Sequence, residues 1–130
     1  ERRKNRALLS RYPDKAAHDK ERVQALTQVE EAIAGSQKRI SELAVERKKI
    51  NEELEFYRKD MSKVPPKLRR QLEDNEQAVA TQQRFISGRD DERRRITARF
   101  DEELERLRKV WMQAAVPSAA QKDAAAGAKK

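Results

Sequence analysis

The chain has 130 residues, 42% of them charged and 36% apolar, and carries a formal net charge of +8. That length suits one small domain. So lean an apolar fraction excludes a globule with a filled interior but allows long helices that bury a single narrow stripe.

Residues 1–12 read as a short helix with Ala7, Leu8, Leu9 and Tyr12 on its apolar side. Pro13 ends it, because a proline pushes the preceding residue out of helical geometry. Asp14 is placed to cap the next helix by accepting from its free backbone amides. From there an apolar residue recurs at alternating spacings of three and four: Leu26, Val29, Ile33, Ile40, Leu43, Ile50, Leu54, Tyr57, Met61 and Val64. Ser36 and Arg47 interrupt the series. This is a heptad seam, and it predicts a helix to about Ser62. Residues 62–66 then form the turn, with Pro65 and Pro66 at its end and Pro66 suited to the first turn of the following helix. The second helix is expected over Lys67 to Gln113, with a seam through Leu68, Leu72, Asn75, Val79, Gln82, Ile86, Ile96, Phe100 and Leu107. The sequence thus predicts an all-α fold: an antiparallel two-helix coiled-coil hairpin over 14–113, preceded by the short helix. Residues 114–130, rich in Ala and Lys without apolar periodicity, are expected to form a disordered tail.

Folding back at the prolines pairs Met61 with Leu68, Tyr57 with Leu72, Leu54 with Asn75, Ile50 with Val79, Arg47 with Gln82 and Leu43 with Ile86. A parallel homodimer would instead stack Arg47 on Arg47 and Arg93 on Arg93, so the intramolecular pairing is favoured. Gly35 and Gly88 fall in the polar middle of the seam, a register-setting stretch or a docking point for a third helix. At the open end, Leu104 and Trp111 widen the stripe, and the short first helix is expected to fold back there into a small three-helix cluster.

Most charges read as a self-neutralising helix surface. Glu55 with Lys59, Asp90 with Arg94 and Glu102 with Arg106 have the favourable acid-first spacing of four. Basic runs such as Arg47-Lys48-Lys49 and Arg93-Arg94-Arg95 wrap around the helix rather than forming a stripe. Non-specific nucleic-acid binding is therefore the alternative reading and not the first. No stretch reaches the ~18 apolar residues of a membrane span. Cys is absent and His18 is the only His, too few donors for a usual zinc site, so no metal or cofactor is expected. His18 reads as a solvated helix residue. Carboxylates lie among arginines on open faces with no pocket to tune them, so neither catalysis nor a small-molecule substrate is expected. Phe56, Phe85 and Trp111 lie off the seam. They are the candidate contacts to other proteins or to a second copy of the chain.

Several segments together resemble one group of proteobacterial proteins: Arg6 to Asp14 with its ALLSRYPD run, Glu53-Leu54-Glu55-Phe56-Tyr57, Val64-Pro65-Pro66, Leu72 to Asn75, and Ile96 to Glu103. Members of that group carry a short N-terminal β domain of unknown function behind a signal peptide, followed by a charged helical region. The resemblance covers roughly residues 1–112. It implies a bacterial, exported, periplasmic protein, the cytoplasm being the alternative, and supplies no site residues. The chain begins at Glu1 inside helix-like sequence, which reads as a processed or truncated piece. The expected function is a non-enzymatic scaffold or protein-docking coiled coil, an accessory subunit of an envelope complex.

Overall fold

The computed structural model describes residues 2–128, with side chains described over 2–114. Helix α1 spans Arg2–Arg11, α2 spans Lys15–Glu55, a 3-10 turn spans Met61–Lys63, and α3 spans Pro66–Ala128. The expected tail at 114–130 lies, from residue 115 on, outside the described side chains. The described residues contain no strand, and α2 and α3 pack against each other as the heptads require. Contacts divide the chain into two compact units, residues 28–93 and residues 1–27 with 94–130.

In the unit of residues 28–93, the buried positions of α2 are Val29, Ser36, Leu43 and Ile50, each seven residues after the last. This is the burial expected of one helix lying along another with a 3.5-residue period. At the closed end Ile50, Val64 and Leu68 form a cluster, with Leu54, Tyr57 and Leu72 packed against it. The connection itself supplies Val64, which plugs the end of the seam.

The turn differs from the expected one at 62–66. Helix α2 stops at Glu55, and the backbone tightens there into three-residue hydrogen bonds, from Phe56 N to Glu53 O at 3.3 Å and from Tyr57 N to Leu54 O at 2.9 Å. Asp60 then accepts from the Ser62 amide at 3.1 Å and from the Ser62 hydroxyl. Short polar side chains that bond nearby backbone compete with helix, and here α2 ends nearly three turns before the prolines. Glu55 consequently pairs with Arg58 at 3.0 Å and not with Lys59, which is no longer one helical turn away.

The early stop also changes the register. Arg47 meets Glu76 at 3.0 Å, not Gln82, and Asn75 reaches the backbone of Leu43, not Leu54. Relative to the expected pairing, α3 is displaced by about seven residues, one heptad. A slip of that size keeps every seam position on the seam and changes only which layers meet.

In the other unit, α1 folds back as expected. Tyr12, His18, Phe100, Leu107 and Val110 are buried, and Leu8 and Leu9 are half-buried. The Asp14 carboxylate accepts from the Ala17 amide at 2.9 Å, the expected N-cap of α2.

Candidate interaction surfaces

His18 is not a solvated residue: it is fully buried. Its ring meets Tyr12 edge-on at 4.8 Å between centroids and Phe100 at 5.1 Å. Nε2 lies 3.3 Å from Oε1 of Glu103, and buried Nδ1 has no partner. Pro13 and the Asp14 cap begin α2 so that His18 falls one turn inside it, under Tyr12 from the end of α1. The missed signal was the spacing of three aromatic rings, Tyr12, His18 and Phe100, which meet only once the register is known. The Arg11 guanidinium holds the Glu21 carboxyl below the usual carboxylate range through their hydrogen bond. Burial, with Glu21 close by, pushes the Tyr12 phenol above its ordinary value.

The three candidate contact residues have different surroundings. Trp111 is half-buried, and its Nε1 donates to the Tyr12 carbonyl oxygen at 3.0 Å. Its polar edge is therefore committed within the chain. Phe85 is 41% exposed, with the Arg89 guanidinium 4.9 Å over its ring. Phe56, at the start of the connection, is 88% exposed. Phe85 lies 19 residues into α3, roughly 30 Å along the helix from Pro66, so it does not share one patch with Phe56.

On the unit of residues 28–93, a shallow, mainly apolar groove runs between α2 and α3, lined by Ile40, Ala44, Val79 and Ala80 with Arg47 and Gln83 at its rim. On the other unit, α1 and α3 form a groove with Lys4, Arg11, Arg99 and Arg106 beside Glu102 and Glu103. The two carboxylates interrupt the four cations, so no continuous basic stripe forms there for a phosphate backbone. Among the described residues, no group of three or more His, Cys, Asp or Glu is placed to hold a metal ion. No helix there is long and apolar enough to cross a membrane. Comparisons with protein-family models, curated proteins and solved structures find no match to this chain.

Proposed function

We propose that this chain is a non-enzymatic coiled-coil module that docks another protein, as an accessory subunit of a bacterial envelope complex in the periplasm. The observation that carries this reading is the narrowness of the seam. Between Val29 and Ile50, full burial in α2 is confined to one residue in seven, which leaves the flank groove of Ile40, Ala44, Val79 and Ala80 open beside it. A helix laid in such a groove buries apolar surface that two helices alone leave wet. Val45 and Phe85, both exposed, add apolar area on the same unit. The periplasmic location rests on the sequence resemblance alone.

The test is affinity capture of the tagged chain from the cell envelope of its native host after nuclease treatment. The comparison is between wild type and the groove variants Ala44→Glu and Ala80→Glu. A defined partner that survives nuclease and is lost with the variants is the expected result. Partners that vanish with nuclease, together with steep loss of binding at moderate salt, would overturn it in favour of nucleic-acid binding.

A further inference from the structure

The connection between α2 and α3 carries a second surface, independent of the flank groove. Phe56 and Met61 project from it, 88% and 54% exposed. Between residues 55 and 70 the chain places six cations against two acids. Both acids are occupied locally: Glu55 pairs with Arg58, and Asp60 caps the 3-10 turn. Arg69 bonds the carbonyls of Met61 and Ser62 at 3.3 Å. The exposed Lys59, Lys63, Lys67 and Arg70 make no ion pair among the described residues. Helix α1 is basic too, with five cations and no acid, but at the connection the charge left over lies beside two large exposed apolar side chains, Phe56 and Met61.

We propose that this end of the hairpin docks on an anionic lipid surface, with Phe56 and Met61 entering the headgroup boundary and Lys59, Lys63, Lys67 and Arg70 facing lipid phosphates. Size decides between lipid and a folded acidic partner. Two helix ends, each about 10 Å across, present on the order of 200 Å². A specific protein interface needs about 800 Å² per partner. Shallow insertion into a bilayer boundary has no such requirement, since apolar depth and cationic charge add directly. Duplex nucleic acid would use the four cations through its phosphates and offer Phe56 and Met61 no apolar boundary to enter.

The experiment uses the whole 130-residue chain and flotation with vesicles of phosphatidylcholine alone or mixed equally with phosphatidylglycerol. Binding to the anionic vesicles only is expected. The quadruple change Lys59→Gln, Lys63→Gln, Lys67→Gln and Arg70→Gln should lower partitioning by nearly three orders of magnitude, at roughly fivefold per cation. Phe56→Ser should lower it about tenfold. All five side chains are exposed, and circular dichroism should show the helices unchanged. A Phe56→Trp variant should gain quenching by brominated lipid over the wild type, whose single indole is Trp111. Three results would each overturn the proposal. One is equal binding by wild type and the quadruple variant, which would assign any binding to charge elsewhere on the chain. The second is a Phe56→Trp indole that brominated lipid leaves untouched. The third is binding to heparin or an acidic protein that matches the vesicles and ignores Phe56→Ser.

Discussion

The indole nitrogen of Trp111 donates to the backbone carbonyl oxygen of Tyr12 at 3.0 Å. This one bond joins the end of α1 to α3 within their unit. Trp111→Phe keeps most of the ring and removes the donor, an expected loss of about 1 kcal/mol. Trp111→Ala also removes the packing, for a total loss of about 2–3 kcal/mol. Urea unfolding followed by circular dichroism measures both. A fully neutral Trp111→Ala would show that the indole does not hold α1.

The only buried amide in the described seam is Asn75, whose Nδ2 donates to Leu43 O at 2.9 Å. A buried polar residue at a seam position fixes register at some cost in stability. Asn75→Leu should therefore raise the unfolding temperature and admit the pairing displaced by one heptad. The chain has no Cys, so paired cysteines report register cleanly. A short thiol cross-linker should join Arg47→Cys to Glu76→Cys in the native seam. It should join Arg47→Cys to Gln83→Cys to a measurable extent only when Asn75→Leu is present.

A Cβ added at Gly35 or at Gly88 would meet nothing within 4 Å. Both residues lie inside long helices, where Gly costs about 1 kcal/mol relative to Ala. Gly35→Ala and Gly88→Ala should each stabilise the chain by about that amount, and the two gains should add. Thermal melts of the single and double variants test this. A loss of stability would mean that the helices must yield at these points.

Two groups in the unit of α1 make its stability depend on pH in opposite directions. Glu21 is held below the usual carboxylate range by its hydrogen bond from Arg11. Its contribution is complete above the ordinary carboxylate value of about 4.3 and is lost as pH falls through the lower folded value. Tyr12 is pushed up, chiefly by burial. Its contribution is complete below the ordinary phenol value of about 10 and is lost as pH rises through the higher folded value. Emission from Trp111, bonded to Tyr12, should shift toward that of a solvated indole at both extremes. Glu21→Gln should abolish the acid limb alone.

The arms, the fold-back of α1 and the Asp14 cap were legible because each depends on near neighbours in sequence: a repeat, a proline, a capping carboxylate. The register was not, because a heptad pattern is degenerate under a slip of seven. Ile50 is as well served by Leu72 as by Val79, and the observed register goes with the early end of α2 at Glu55 and the Asp60-capped 3-10 turn that follows. The same slip hid the burial of His18, since Phe100 and Glu103 come beside it only in the observed pairing. Of the off-seam aromatics, Phe56 and Phe85 proved exposed, as their positions implied. Trp111 gives its polar edge to Tyr12, a long-range bond that no local pattern announces.

The burial of Val29, Ser36, Leu43 and Ile50 at intervals of seven makes that stretch of α2 a ruler graduated in heptads. Taking seven residues out of each arm between two graduations would shorten it by about 10 Å and leave the remaining layers matched. Taking seven from one arm alone would set the two scales a full division apart. Length can therefore change in whole divisions while the seam and the turn chemistry stay as they are.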